Sequence, residues 1–269
     1  MTIPAGWYDD PRDRTRHRWW DGAEWTPWER IDAPAEAERH LWSRPGVGRG
    51  WTVLANVLQV LFTVQVVVAA LTVVTYWQLR AELTVGIERP RAMDAGVLDT
   101  VAGAETPLLV AMVATALTSY VLFIIWLYRG YRSNRVDAAR LPRGAGWAIG
   151  AWFIPLVNLV LPALVVHDLN QASRPLGESR AGLVTTWWVA FLAWGFLIQA
   201  GGPLPDDDLP VREYLRQLQG SVDLTLAGEA VGIVASVLGV LLVRRLTHQV
   251  RTSPYGPRRS EPLPEVSAS

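Results

Sequence analysis

The sequence predicts a mainly α-helical integral membrane protein: a helical bundle of four spans plus one proline-broken segment, preceded by a small N-terminal antiparallel β module. Three observations predict this fold class. Half of the 269 residues are hydrophobic, and they gather into runs of about 20 residues, the length that crosses a hydrocarbon core of roughly 30 Å. One further apolar run is interrupted by two prolines. Residues 1–30, by contrast, are rich in tryptophan and turn-forming residues.

The chain divides into four parts by composition. Residues 1–30 form the Trp-rich module, and residues 31–50 form an Ala-, Glu-, Arg- and Gly-rich linker. The transmembrane helical domain is predicted to cover residues 51–246, and residues 247–269, which are rich in proline and arginine, are predicted to form a disordered tail. Within the membrane domain we expect spans over about 51–79, 107–128, 183–199 and 222–243.

The N-terminal module is predicted to be a three-stranded sheet. Asp21-Gly22, between "RHRWW" and "AEWTPW", indicates a hairpin with a type I′ turn, because both residues tolerate positive φ. A first strand around Trp7 precedes the "DDPRD" turn. Tryptophans of a unit this small either form its core or line a face that binds a proline-rich segment, such as the chain's own tail "PYGPRRSEPLPE". These candidate binding residues are Trp7, Trp19, Trp20, Trp25 and Trp28.

The interrupted apolar segment covers residues 147–167 and contains Pro155, Asn158 and Pro162. Proline removes a backbone donor and clashes with the preceding helical turn, so we expect a first half-helix to end near residue 154. Asn158 is predicted to cap a second half-helix that has Pro162 in its first turn. Irregular backbone at membrane depth requires burial in protein. The segment is therefore either a re-entrant or interfacial hairpin, or one kinked helix at the interface.

Arginine positions distinguish two topologies, because loops facing the cytoplasm carry the excess of positive charge. If the interrupted segment crosses the membrane, the flanks and loops give ten arginines to each side. If it enters and leaves on one side, that side receives 15 arginines and the other side five. We therefore expect a multi-pass cell-membrane protein with four spans and both termini in the cytoplasm.

Polar residues within the spans are the intramembrane candidates. Asn56 and Gln59 share one face of the first span, where they are either interhelical hydrogen-bonding groups or part of a polar pathway. Gln65 lies off that face, and no role is predicted for it. Glu229 is an ionisable group in the last span, and it either reaches the outer interface or has a proton or cation role. Asn56 or Gln59 would be its partner if the first and last spans adjoin.

Two further features concern packing and the ends of the broken segment. Gly228, Gly232, Ser236 and Gly239 are spaced for close approach of the last span to a neighbour. Asp168 follows the second half-helix, either in a polar cluster with Asn134 and Asn158 or beside an arginine belt that binds lipid headgroups. The run at residues 206–208 is an acidic triplet that we interpret as solvated rather than as a cation site.

Two stretches carry resemblances. "AGWYDDP…RHRWWDGAEWT" resembles a short Trp-rich domain of unknown function at the N-termini of actinobacterial membrane proteins. The sequences "WLYRGYRSNR" at 126–135 and "GWAIGAWFIPLVNLVLPALVVHDLNQAS" at 146–173 resemble the family called domain of unknown function four-three-two-eight. The resemblance implies an uncharacterised actinobacterial multi-pass protein and supplies no activity or catalytic residues.

The sequence favours a non-catalytic protein. It has no cysteine and no H-E-x-x-H, G-x-S-x-G, S-x-x-K or P-loop pattern, so we expect no enzyme activity, cofactor or metal. A formal net charge of zero gives no reason to expect nucleic acid. We expect the bilayer and an unknown cytoplasmic protein or peptide as partners, with homo-oligomerisation left open. The leading interpretation is an interaction or regulatory scaffold, and the alternative is a small transporter or channel that uses the broken helix and Glu229.

Overall fold

The computed structural model describes residues 3–31, 45–175, 182–200 and 208–255. An antiparallel sheet at the N-terminus precedes a helical bundle, as the sequence predicts. The elements, in chain order, are β1 Gly6–Asp10, β2 Asp13–Trp20, β3 Trp25–Ile31, α1 Arg49–Glu88, α2 Ala95–Tyr131, α3 Trp147–Gly150, α4 Leu161–Ala172, α5 Gly182–Ala200 and α6 Val211–Thr252. Four of these helices, α1, α2, α5 and α6, are long and apolar enough to cross a membrane, which confirms the predicted fold class.

Helices α1 and α6 are longer than the spans predicted from hydropathy. They contain 40 and 42 residues, or about 60 Å each at 1.5 Å per residue, twice the thickness of a hydrocarbon core. Beyond the apolar region the two helices stay paired through a separate hydrophobic cluster of Leu83, Leu215 and Val222. Their polar ends are therefore helical because they pack against each other, and a hydropathy pattern does not register that contact.

Helix α2 also begins earlier than predicted. It starts after Asp94, whose carboxylate accepts a hydrogen bond of 2.8 Å from the amide of Gly96. Pro107, expected at the start of this span, lies inside the helix. The predicted span covered only the apolar run from residue 107, whereas the helix itself extends back to its aspartate cap.

The interrupted segment forms a hairpin inside the helical bundle. The Tyr131 hydroxyl donates to the Arg143 carbonyl at 2.8 Å and lies 3.4 Å from the Asp168 carboxylate, so the two ends of the segment lie at the same level of α2. The Tyr120 hydroxyl donates to the Trp152 carbonyl at 3.1 Å. Tyr120 is about 16 Å further along α2 at 1.5 Å per residue. The chain thus enters the bundle to this depth and returns, so the segment is a hairpin and not one kinked helix.

The tip of the hairpin is a γ-turn followed by a short 3₁₀ turn. Leu156 has φ 65° and ψ −45°, and the amide of Val157 donates to the Pro155 carbonyl at 2.8 Å. This conformation is rare and strained for a residue with a side chain. The turn reverses the chain within three residues, and the indole of Trp188 hydrogen-bonds the Leu159 carbonyl at 2.8 Å just beyond it.

The prediction that Asn158 caps the second half-helix is wrong. Helix α4 begins at Leu161 with Val160 at the N-cap position and no side-chain cap, and Asn158 lies in the preceding 3₁₀ turn. Pro162 occupies the first turn of α4 as predicted and is buried.

The small residues predicted for close helix approach make those approaches in α6. An added Cβ at Gly239 would lie 3.3 Å from the ring of Phe62 in α1, and one at Gly232 would lie 2.7 Å from the indole of Trp194 in α5. Real Cβ atoms essentially never lie as close as the second distance. Helix α6 therefore packs against α1 and α5 through its glycine face.

Candidate functional site

The β module has the predicted strands but a different hairpin turn. The strands pair antiparallel in the order β1-β2-β3, and Trp20 pairs with Trp25 across a loop of residues 21–24. Gly22 has φ 106°, while Asp21 is not among the residues with positive φ, so the loop is not a type I′ turn. The Asp21 carboxylate instead accepts from the amides of Glu24 and Ala23, both at 2.7 Å. These hydrogen bonds lower the pKa of Asp21.

The five tryptophans lie on two opposite faces of the sheet. On the outer face, Trp20 and Trp25 form an edge-to-face pair at 5.4 Å, and Tyr8 packs against Trp25. On the other face, Trp7 and Trp19 form a similar pair at 5.4 Å, and this face also includes Trp28. Only Trp7 is fully buried, whereas Trp25 remains 39 % exposed. Successive side chains of a β-strand point to opposite faces of the sheet, so the neighbours Trp19 and Trp20 lie on different faces.

The face that contains Trp7 binds a tyrosine from the other end of the chain. The ring of Tyr255 stacks on Trp7 at 5.6 Å and meets Trp28 edge-to-face at 5.4 Å. Its hydroxyl donates to the Glu29 carbonyl at 2.9 Å, and the Trp7 indole donates to the Pro254 carbonyl at 3.4 Å. We call Trp7, Trp28 and the Glu29 carbonyl the tyrosine cradle.

The Tyr255 side chain is only 5 % exposed. Burial, reinforced by the nearby carboxylate of Asp137, raises the pKa of the Tyr255 phenol. The contact that the sequence suggested between the module and the tail is therefore present at Pro254 and Tyr255. The rest of the tail, residues 256–269, and the predicted linker at residues 32–44 lie outside the described residues.

A cavity of about 310 Å³ lies inside the helical bundle. Its walls are mainly apolar and come from α1, α2, α5, α6 and Trp152 in the first arm of the hairpin. The aromatic residues that line it are Phe62, Tyr120, Phe123, Trp152, Trp187, Phe191 and Trp194. Its polar lining includes Gln65, Ser119, Ser236 and Glu229.

Gln65 links three helices at the wall of this cavity. Its amide nitrogen donates to the Ser119 hydroxyl in α2 at 3.0 Å, and its carbonyl oxygen accepts from the Ser236 hydroxyl in α6 at 3.4 Å. Sequence analysis assigned no role to Gln65, because it lies off the polar stripe of α1. A useful signal was its isolation: a lone amide on an apolar helix face requires a partner on a neighbouring helix.

The polar stripe at the start of α1 does not connect helices. Asn56 is exposed on the outside of the bundle, and the Gln59 amide donates to the Ala55 carbonyl of its own helix at 3.1 Å. The expectation that these residues bond between helices or line an internal pathway is therefore wrong. The internal face of this part of α1 is instead formed by Trp51, Ala55 and Leu58, all buried.

Glu229 is buried, with 4 % of its surface exposed. The prediction that it pairs with Asn56 or Gln59 is wrong. Helices α1 and α6 adjoin in antiparallel register, with Gln65 opposite Ser236. Glu229 precedes Ser236 by about 10 Å of helix, so it faces the later turns of α1, whereas Asn56 and Gln59 lie toward the start of α1. Asp223, one and a half turns before Glu229, forms an ion pair with Arg80 at 2.5 Å.

Asp168 closes the base of the hairpin. Its carboxylate pairs with the Arg143 guanidinium at 2.6 Å, where the segment enters. Asn158 lies at the opposite end of the hairpin and Asn134 hydrogen-bonds the Pro45 carbonyl through its backbone amide, so the expected cluster of Asp168 with these two residues does not form. Nearby, Arg140 donates to the Arg174 carbonyl at 2.6 Å. The arginines of this region therefore hold the loop and the hairpin together.

Within the described ranges, no three histidine, aspartate or glutamate side chains lie together in a group that could hold a metal ion. Of the acidic triplet, only Asp208 belongs to the described part of the chain.

These features define the class of protein: a helical multi-pass membrane protein with four spanning-length helices, a hairpin packed inside the bundle and an appended β domain. The chain belongs to the family described as Domain of unknown function (DUF4328), whose model matches residues 89–248, more than half of the sequence. Residues 5–38 are similar to a second family, Protein of unknown function (DUF2510). No curated protein and no solved structure matches the chain.

Proposed function

We propose that this protein is a non-catalytic membrane scaffold whose β module binds aromatic, proline-containing segments and holds its own tail when no partner is bound. The observation that supports this proposal is the buried Tyr255 ring between Trp7 and Trp28. Aromatic faces that receive proline-flanked segments are a recurrent mode of peptide recognition. Here Pro254 directly precedes the bound tyrosine. The module accepts a hydrogen bond from the Tyr255 hydroxyl and donates one to the Pro254 carbonyl.

The same contacts support a regulatory role. The tail and the module belong to one chain, so their encounter is intramolecular, with an effective concentration that reaches the millimolar range for short connections. A partner segment must therefore compete with Tyr255 for the cradle. The outer face with Trp20 and Trp25 is chemically similar and is not covered by Tyr255, which makes it the natural control surface in any test.

We place the module and both chain ends in the cytoplasm. The cradle joins the N-terminal sheet to the residues that directly follow α6, so the sheet and residues 253–255 lie at one end of the bundle. That end of the bundle also carries Arg135, Arg140 and Arg143. Loops rich in arginine generally remain on the cytoplasmic side of a membrane. A reporter enzyme fused after residue 269 and active only outside the cytoplasm should stay silent, and activity there would refute this orientation.

Peptide binding to the full-length protein tests the function. The probe is a fluorescein-labelled peptide with the sequence of residues 253–259, SPYGPRR, and the readout is fluorescence anisotropy in detergent. Tyr255→Ala should bind the peptide at least tenfold more tightly than the wild type, because the competing ring is absent. Adding Trp7→Ala should abolish this binding, while adding Trp25→Ala on the outer face should leave it unchanged. Equal peptide affinity of wild type and Tyr255→Ala would refute the proposal.

Transport is the second candidate, and the internal cavity with Glu229 at its wall favours it. Interrupted helices at membrane depth accompany substrate sites in many carriers. A flux through this bundle should be lost in Glu229→Gln and reduced in Asn158→Ala, with peptide capture intact. Trp7→Ala should have the opposite pattern.

A further inference from the structure

We propose that the cavity inside the bundle is a binding site for a small hydrophobic amine, with the ammonium group paired to Glu229 and the apolar body held against the aromatic walls. This inference concerns binding alone and does not depend on the module. It specifies the ligand chemistry for the transport candidate, but a bound amine need not be carried across the membrane.

The volume and walls of the cavity fit a molecule with one ring and a short chain. A volume of about 310 Å³ lies at the lower end of the range of about 300–1,000 Å³ for small-molecule sites. Phe123, Trp152, Trp187, Phe191 and Trp194 form a continuous series of ring contacts along the lining, with neighbouring centroids 5.3–6.1 Å apart. Such walls favour an aromatic or alkyl body and attract cations through the negative faces of the rings.

The neutral polar groups of the lining already have protein partners. The Gln65 amide uses its nitrogen on Ser119 and its oxygen on Ser236. The Tyr120 hydroxyl donates to the Trp152 carbonyl, and the Thr115 hydroxyl donates to the Ala111 carbonyl at 2.7 Å. These groups therefore contribute shape and rigidity to the cavity and leave little hydrogen-bonding capacity for a ligand.

Glu229 is different, because none of the hydrogen bonds or ion pairs among the described residues involves its carboxyl group, although the group is buried at the cavity wall. An ionisable group at this depth is costly without a partner of opposite charge. Glu229 lies about 9 Å inside the level of the Arg80–Asp223 pair, at 1.5 Å per residue of helix. The carboxyl group is therefore within the apolar region and available to a ligand.

An organic ammonium fits this site better than an inorganic cation. Calcium and magnesium require several oxygen ligands, and Glu229 is the one carboxylate among the cavity-lining residues that the structure describes. An amine needs a single counter-charge and brings an apolar body that the aromatic walls can bury. Leu117 lines the cavity and is 61 % exposed, so the cavity is open to the surface of the protein beside this side chain.

The test compares two probes of nearly equal shape, 4-phenylbutylamine and neutral 4-phenylbutan-1-ol, by isothermal titration calorimetry on the detergent-solubilised full chain at pH 7. The wild type should bind the amine about tenfold more tightly than the alcohol, the effect expected for a hydrogen bond to a charged group. This comparison requires no variant, so it remains decisive if substitutions impair folding.

Two variants locate the charge. Glu229→Gln keeps the shape of the side chain, and it should lower the amine affinity about tenfold while leaving the alcohol affinity unchanged. Glu213→Gln is the matched control, because Glu213 is exposed in the first turn of the same helix, and it should change neither affinity. Equal affinities of the wild type for the two probes, no binding of either, or an unchanged amine affinity in Glu229→Gln would each overturn the proposal.

Discussion

Truncation of Tyr255 should release the β module from the helical bundle. The side chain is buried between Trp7 and Trp28 and its hydroxyl is hydrogen-bonded. A buried aromatic ring removes about 150–250 Å² from water, which corresponds to roughly 4–6 kcal/mol at about 25 cal/mol per Å². The undocked tail retains part of this burial, so we expect Tyr255→Ala to cost about 3 kcal/mol of docking free energy, or a shift of about 100-fold toward the undocked form.

Spin-label distances measure this equilibrium directly. The chain has no cysteine, so a double variant with Ala23→Cys in the exposed hairpin loop and His248→Cys on the exposed side of α6 places labels without background. Double electron–electron resonance on the wild-type background should give one narrow distance distribution. Tyr255→Ala should give a broad distribution centred at longer distances.

Tyr255→Phe is the graded control. It keeps the ring contacts and removes the hydroxyl that donates to the Glu29 carbonyl, so it should cost about 1 kcal/mol, the typical net value of one hydrogen bond. The distribution should then remain mainly narrow. A distribution in Tyr255→Ala that is unchanged from the wild type would show that other contacts hold the module, and it would refute the assignment of the cradle as the anchor.

Three further predictions concern pH, packing and the base of the hairpin. Burial raises the pKa of Tyr255, so its contribution to docking is complete below the ordinary tyrosine pKa of about 10 and is lost as pH rises toward the raised value. The same distance measurement should show alkaline undocking that is absent in Tyr255→Phe. Gly232→Ala should lower the free energy of unfolding, measured by thermal denaturation, by about 1–3 kcal/mol, because its Cβ would overlap Trp194. Gly195→Ala is the control and should not lower it, because no atom lies within 4 Å of the added Cβ. Arg143→Ala should lower the free energy of unfolding by roughly 2 kcal/mol, because it leaves the buried Asp168 carboxylate without its ion pair. An unchanged melting temperature would contradict the role of this ion pair in holding the base of the hairpin.

The number of spans and the presence of the module were predictable because both follow from local patterns. Apolar runs of bilayer length give the four helices, and closely spaced tryptophans with turn residues give the three strands. The same-side entry and exit of the broken segment followed from arginine counts, and the Tyr131 contacts to Arg143 and Asp168 agree with it.

The errors occurred where a distant contact overrides a local pattern. Hydropathy ended α1 near residue 79, but Leu83 is buried against α6 and extends the helix to Glu88. Helical periodicity singled out Asn56, which is exposed, and passed over Gln65, which connects three helices. Tyr255 carries no local signal of burial, because its partners are more than 220 residues away in sequence.

The loop after α2 connects the two candidate sites physically. The Asp137 amide donates to the Ala172 carbonyl at the end of α4, and the Asp137 carboxylate lies close enough to Tyr255 to affect the tyrosine pKa. The first arm of the same hairpin supplies Trp152 to the cavity wall. Energetic coupling between sites requires an element with two discrete arrangements, and the distance measurement on Tyr255→Ala tests whether docking of the module is such an element. If amine binding favours the docked form, docking must increase amine affinity by the same factor, so Tyr255→Ala should weaken amine binding without altering any cavity residue.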